Sequence, residues 1–209
     1  MEGLISFLAS LIIGIIEKTG YFGITALMAL ESANIPIPSE IIMPFSGFLV
    51  FAGKFSFWLV VISGAVGNLL GSILGYFIGY FGGRPFVEKY GKYFFISKSD
   101  LEKADLWFSK YGQSIVFFSR MLPVVRTFIS FPAGIAKMNF KKFCVFTFLG
   151  SLPWSVFLTF VGFKTGENWQ ILEVYFRKFD WLIAIMAILF VIWWVWKHKL
   201  SKIQNQSTK

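Results

Sequence analysis

Glu31-Ser-Ala-Asn-Ile-Pro36-Ile-Pro38-Ser-Glu40-Ile-Ile-Met-Pro44-Phe-Ser-Gly47 sets two carboxylates and three prolines inside otherwise apolar sequence. A second such stretch is Arg120-Met-Leu-Pro123-Val-Val-Arg126-Thr-Phe-Ile-Ser-Phe-Pro132-Ala-Gly134. Glu31 to Arg120 is 89 positions, Pro36 to Pro123 is 87, Pro44 to Pro132 is 88 and Gly47 to Gly134 is 87. Farther along, Gly64 to Gly150 is 86, and Gly75 to Gly162 and Gly79 to Gly166 are both 87. One offset held across so many glycines and prolines predicts an internal duplication, with guanidiniums in the second copy where the first has carboxylates. Interrupted apolar segments at matching places in two halves are the sequence pointer to a transporter's substrate site.

Composition places the chain in a membrane. Of its 209 residues 56% are hydrophobic and 15% charged, against roughly 25% charged in soluble domains. Phe55 to Gly83 is an uncharged run of 29 residues and Phe143 to Phe163 one of 21, both long enough to cross a bilayer. Trp181 to Trp196 gives 16, which Phe179 and snorkelling by Lys197 and Lys199 extend. Trp193, Trp194 and Trp196 before those lysines read as an interfacial anchor. Leu4–Ile16 has the length of a signal-peptide core, but Met1-Glu2-Gly3 lacks a cationic start and no small-residue cleavage site follows. It is expected to stay as an interfacial or partly inserted helix. Cys144 is the single cysteine, so no disulfide within the chain is possible.

The expected architecture is an all-α integral membrane protein built as one domain over residues 1–209. Repeat one covers about 20–83, a cytoplasmic amphipathic connector 84–112, repeat two about 113–166, a final span about 179–196 and a basic tail 197–209. The tail carries Lys197, Lys199, Lys202 and Lys209 without an acid. The connector carries six basic residues from Arg84 to Lys110. The positive-inside rule therefore puts both in the cytoplasm. A basic stripe among so many aromatic and apolar residues fits anionic lipid headgroups better than nucleic acid. Within the connector, Leu101, Ala104, Asp105 and Phe108 recur at helical spacing after Ser99-Asp100.

Parity then fixes the rest. With Gly112 and Lys141 on one side, the segment between them must enter and return as a re-entrant hairpin. Pro123 and Pro132 permit this, since each removes a backbone donor. Each half becomes a hairpin plus a full span, so the repeats are inverted and the hairpins meet near the midplane from opposite sides. Pro36, Pro38, Pro44, Pro123 and Pro132, with Gly47 and Gly134, are expected to shape the hairpins. Non-helical backbone at that depth must line a cavity or pack on protein.

Two further features belong to the spans. Gly67, Gly71, Gly75, Gly79 and Gly83 fall at every fourth position, a spacing for close helix packing rather than catalysis. Asn68 on the same helix must find a polar partner, either across a helix pair, the favoured reading, or by facing the cavity. Four embedded charges, Glu31, Glu40, Arg120 and Arg126, would cost about 10–14 kcal/mol unpaired, at roughly 2.5–3.5 kcal/mol each. They must pair, face a cavity or, for the glutamates, be protonated. A buried ion pair is a poor stabiliser beside apolar packing, so function is the stronger motive. The two guanidiniums, six positions apart around a proline, suit a phosphate with their planar forks.

These motifs carry a resemblance. Glu31 with Pro36-Ile-Pro38-Ser-Glu40, the segment Gly75-Tyr76-Phe77-Ile78-Gly79 through Gly83-Arg84, and Phe118-Ser119-Arg120-x-x-Pro123-x-x-Arg126 through Ala133-Gly134 resemble the DedA family. The family is also called the SNARE-associated or VTT-domain family, and the likeness covers roughly residues 20–170. It implies lipid translocation, including recycling of a polyprenyl-phosphate carrier, with essential acids at Glu31 and Glu40 and essential arginines at Arg120 and Arg126. Many members carry Pro-Gly-Asp where this chain has Pro38-Ser39-Glu40, which extends the carboxylate by one methylene. The version here is more like Gram-positive members tied to undecaprenyl phosphate.

The expected function is movement of undecaprenyl phosphate across the bacterial cytoplasmic membrane, coupled to protons. Arg120 and Arg126 would bind the phosphate, and Glu31 and Glu40 would exchange the proton. No cofactor or metal is expected. Movement or scrambling of a phospholipid such as phosphatidylethanolamine, and proton or ion antiport, are the alternatives. A lipid phosphatase would commonly need a catalytic histidine, and the sole one, His198, sits in the basic tail. The chain is therefore not expected to be an enzyme.

Overall fold

Prolines and glycines punctuate this chain, and the helices fall between them. The computed structural model describes residues 2–35, 37–83, 85, 98–122 and 125–166. The final span expected at 179–196, the basic tail, residues 84 and 86–97 of the connector, and Pro36 and Pro123 lie outside the described residues. All regular elements among the described residues are helical. They are α1 (Glu2–Thr19), α2 (Tyr21–Ser32), α3 (Ser39–Phe51) and α4 (Phe57–Ile78), the last continued by a π-helical turn at Gly79–Gly83. Then come α5 (Lys98–Ser119), two short helices α6 (Val125–Phe128) and α7 (Ser130–Ile135), and α8 (Phe140–Lys164). Gly20 and Gly53, with φ of 61° and 72°, stop α1 and α3 as left-handed residues do. Asn139 caps α8 by accepting the Lys142 amide at 3.1 Å.

Two helices have the length and composition of membrane spans. Phe57–Gly83 has 27 residues at mean hydropathy 1.9, and Phe140–Lys164 has 25 at 1.8. At about 1.5 Å per residue they run about 40 and 37 Å, beyond the roughly 30 Å hydrocarbon core. Their polarity is reversed from that of a water-soluble helix. Trp58, Leu74, Ile78, Phe157 and Phe160 face outward, whereas Asn68, Ser72, Thr147, Ser151, Ser155 and Thr159 are buried. Water would penalise both choices; lipid outside and polar partners inside favour both. The described residues are those of a helical membrane protein.

The glycine ladder of α4 organises the assembly. A side chain at Gly67 would strike the Thr25 carbonyl and Met28, and one at Gly71 the Ala29 carbonyl and Ser32, so α2 lies directly on this stripe. Gly75 meets Ser130, Gly79 the Phe131 carbonyl and Gly83 the Ile135 side chain, so α7 lies on its continuation. One row of glycines therefore brings the end of α2 beside the start of α7. The bland reading of the stripe, close packing, is the observed one.

A matching seam runs on the other side. Gly47 in α3 approaches the backbone of Thr159 and Phe163 in α8, and Gly162 approaches that of Pro44. In the same way Gly134 approaches Tyr76 and Tyr80, and Gly79 approaches Phe131. Gly47 and Gly134 thus sit inside helices and serve helix contact; neither makes a bend. Pro44 to Phe131 and Gly47 to Gly134 are 87 positions, but Gly79 to Gly162 and Tyr76 to Thr159 are 83. The separation between these two span contacts is one helical turn shorter than the offset between Gly75 and Gly162.

Three local features complete the frame. Pro38 precedes α3, Pro44 lies inside it, and Pro132 falls in the first turn of α7, where a missing amide is tolerated. α5 runs unbroken from the expected connector helix through Gly112 to Ser119, because no helix breaker intervenes before Pro123. α1 packs against α2 and α3, with Ile12 and Ile16 buried.

Candidate functional site

The chain leaves α2 at Ser32 and re-enters helix at Ser39, while α5 ends at Ser119 and α7 begins at Ser130. These two interrupted segments meet beside α4 and α8, and the four expected ionisable residues lie on them. Arg126, on α6, is buried and donates from one terminal nitrogen to Glu31 Oε1 at 2.6 Å. The same nitrogen lies 3.7 Å from Glu40 Oε1 and donates to the Ser39 hydroxyl. A carboxylate pair from the first interrupted segment thus converges on one guanidinium from the second. Their exposures differ: the Glu31 side chain is 7% accessible and that of Glu40 37%.

Glu31 is held from behind. Ser32 Oγ is hydrogen-bonded to Glu31 Oε2 at 3.4 Å and to the Asn68 amide on α4. The amide of Asn68 therefore bonds across the α2–α4 pair, as its place in hydrocarbon requires.

Arg120 is deployed differently. It is 1% exposed. One terminal nitrogen donates to Ser72 Oγ and to the Arg126 carbonyl, each at 2.8 Å. The other donates to Ser130 Oγ at 2.9 Å and Thr147 Oγ1 at 3.4 Å. No carboxylate lies within ion-pair distance of it among the described residues. Its partners are neutral oxygens from α4, α7, α8 and the backbone of α6, so it ties together the elements that present Arg126. Such a multiply bonded fork is a use to which lysine is not suited.

Sequence reasoning expected Glu31 and Glu40 to pair with Arg120 and Arg126 alike; among the described residues both carboxylates meet Arg126 and neither meets Arg120, and the neutral groups around them were not foreseen. Ser39, Ser72, Ser130 and Thr147 supply the hydroxyls, and Trp154 on α8 lies with its ring 5.2 Å from the Arg126 guanidinium carbon. Thr147, Ser151, Ser155 and Thr159 are all buried at every fourth position of α8. That spacing inside an apolar span was the available signal. Beside the cluster, a groove of about 380 Å³ is lined by Asn34, Val125, Phe128, Ile129, Phe131 and Pro132. It is chiefly apolar, and Val125 adjoins Arg126.

Fold and site define a helical membrane protein with a buried arginine–carboxylate cluster where two interrupted segments meet. The chain belongs to the VTT-domain family, also called the DedA family, whose model matches residues 37–164. It is similar to undecaprenyl phosphate transporter A of Bacillus subtilis (strain 168), 39% identical over 176 residues, 84% of this chain and 87% of the relative. The protein of that name from Staphylococcus aureus (strain NCTC 8325 / PS 47) is 30% identical over 195 residues, 90% of this chain and 96% of the relative. An alkaline phosphatase-like protein of Lactococcus lactis subsp. lactis (strain IL1403) is 33% identical over 207 residues, 95% of this chain and 97% of the relative. No solved structure matches the chain.

Proposed function

We propose that this protein moves a polyprenyl monophosphate, undecaprenyl phosphate, across the bacterial cytoplasmic membrane. The observation that carries the reading is Arg126, a buried guanidinium clasped by Glu31 at 2.6 Å and by Glu40 at 3.7 Å. A phosphate monoester is a stronger, multiply charged competitor for such a fork. The relatives named as undecaprenyl phosphate transporters support that choice of anion. Moving a phosphate through hydrocarbon is the costly step, and the apolar groove beside Arg126 suits the first part of a prenyl tail.

In this mechanism the empty site is an ion-pair cluster. Phosphate takes Arg126, with Arg120 adding a second positive charge close behind it. Glu40, the more accessible carboxylate, leaves first and accepts a proton, and Glu31 follows. Loss of those protons on the far side restores the ion pairs and expels the lipid. The recurring contacts of Gly47 with α8 and of Gly134 with α4 support an inverted-repeat arrangement of two re-entrant hairpins. Rocking of one half on the other would then expose the site to each side in turn. The C-terminus is cytoplasmic in this topology, and no covalent chemistry is assigned to the site. The phosphatase wording of the Lactococcus relative does not alter this, because the chain's only histidine is His198 in the basic tail.

The test is transport of labelled undecaprenyl phosphate by the purified protein in proteoliposomes. Arg126→Lys keeps the charge but cannot offer two parallel donors; it should fold normally and lose most transport. Full transport by Arg126→Lys, or wild-type transport of simple cations in place of the lipid, would refute the proposal.

A further inference from the structure

Trp154 has no role in the exchange described above, yet it is the aromatic wall of the site. Its ring lies over Arg126, 5.2 Å from centroid to guanidinium carbon, within the range of a cation–π contact. Its Nε1–H is buried without a hydrogen-bond acceptor among the described residues. Buried tryptophans usually find a partner for this donor, and an unmet donor in the interior calls for an explanation. The residue follows Pro153, which interrupts the hydrogen bonding of α8 at this level.

Counting oxygens gives the missing acceptor its character. Glu31 and Glu40 both meet Arg126 at one terminal nitrogen and leave the indole donor unmet. A carboxylate lipid whose two oxygens engage the guanidinium has no oxygen left for a further donor. A phosphate monoester bound through two oxygens has a third, and the ring of Trp154 lies beside Arg126.

We propose that Trp154 is a specificity-determining residue whose indole N–H hydrogen-bonds a third oxygen of a phosphate headgroup held by Arg126. It thereby favours phosphate over the resident carboxylates and over carboxylate lipids. This rests on the reading of Arg126 as the phosphate-binding group and adds to it a second donor, on a different helix. The site then separates anions by the number of their oxygens as well as by charge, and the incoming lipid gains a bond that the departing glutamates never had.

The test uses the full chain in detergent, with farnesyl phosphate and farnesoic acid as probes of equal tail and different headgroup. Trp154→Phe keeps a ring over Arg126 and removes the donor. Farnesyl phosphate affinity should fall about tenfold or more, the effect of one charge-assisted hydrogen bond, with farnesoic acid affinity changed less than about twofold. The ¹⁵N-indole resonance of Trp154, assigned by its absence in Trp154→Phe or Trp154→Tyr, should move downfield with farnesyl phosphate and stay in place with farnesoic acid. Unchanged phosphate affinity in Trp154→Phe, an equal loss for both probes, or a resonance unmoved by phosphate would each overturn the proposal. The underlying reading fails separately, if wild type shows no saturable farnesyl phosphate binding or Arg126→Gln binds it as wild type does.

Discussion

Replacing Gly71 by alanine adds one methyl group, and the structure gives it no room. The new Cβ would fall inside contact distance of the Ala29 carbonyl oxygen and against Ser32 Cβ, both on α2. Backbone cannot rotate away as a side-chain tip can, so α2 must move off α4 by about 1 Å or more to restore ordinary contact. Overpacking of this kind costs about 1–3 kcal/mol. The displaced helix carries Glu31 and Ser32, so the 2.6 Å contact with Arg126 stretches and the bond to Asn68 breaks. Gly82 is the matched control. Nothing lies within 4 Å of its added Cβ, and alanine there should be neutral or stabilising by up to about 1 kcal/mol. Thermal unfolding in detergent and lipid transport should therefore both fall in Gly71→Ala and hold in Gly82→Ala. Equal behaviour of the two variants would refute the account of the glycine ladder as the element that sets Glu31 against Arg126.

Ser72→Ala takes one of two acceptors from an Arg120 terminal nitrogen. It should cost about 1.5–3 kcal/mol of stability, as for a hydrogen bond to a charged group, measurable by denaturation in detergent; a silent substitution would remove Ser72 from the clamp. Glu40→Gln removes one carboxylate charge from Arg126, so phosphate-lipid binding in detergent should persist or tighten while turnover falls. Weaker binding in the variant, or intact turnover, would remove Glu40 from the proposed exchange and leave Glu31 as the leading candidate. Single cysteines at Ile35, which is exposed, and Thr127 in a Cys144→Ala background should be reached by an impermeant thiol reagent from opposite faces of the membrane, and labelling of both from one face alone would exclude inverted hairpins.

The ionic part of the site was legible because charges are rare in apolar sequence and conspicuous where they occur. Glu31, Glu40 and Arg126 needed only the rule that embedded charges must meet. The division of labour between the arginines was not legible. Arg120 and Arg126 are separated by six positions and a proline, so their directions are set by how α5, α6 and α7 turn, which no local periodicity encodes. The serines were hidden for another reason, since hydroxyls are compatible with a membrane helix anywhere. Only Arg120 at its place in the fold distinguishes Ser72 and Ser130 from the rest. The spans were read within two or three residues at each end, from Phe55 against the observed Phe57 and from Phe143 against Phe140. The offset of 87 between glycines and prolines was visible in sequence, whereas the separation of 83 between Tyr76 and Thr159 and between Gly79 and Gly162 emerges only from which helices pack together. Any of the glycines at every fourth position satisfies the pattern, and the shape of α7 selects Gly79.

The exchange of partners between halves bears on how the chain is made. α3 packs far more extensively on α8 than on α4, the span that follows it in the chain. Phe51, at the end of α3, precedes Phe140, at the start of α8, by 89 positions. During synthesis the face of α3 that carries Ser46 and Gly47 waits through the whole of α4 to α7 before its groove exists. α7 meets no such delay, for its seat on α4 is already built when it emerges. The second half therefore assembles onto a prepared surface and the first half is finished last, so insertion of α8 is the event that locks the bundle.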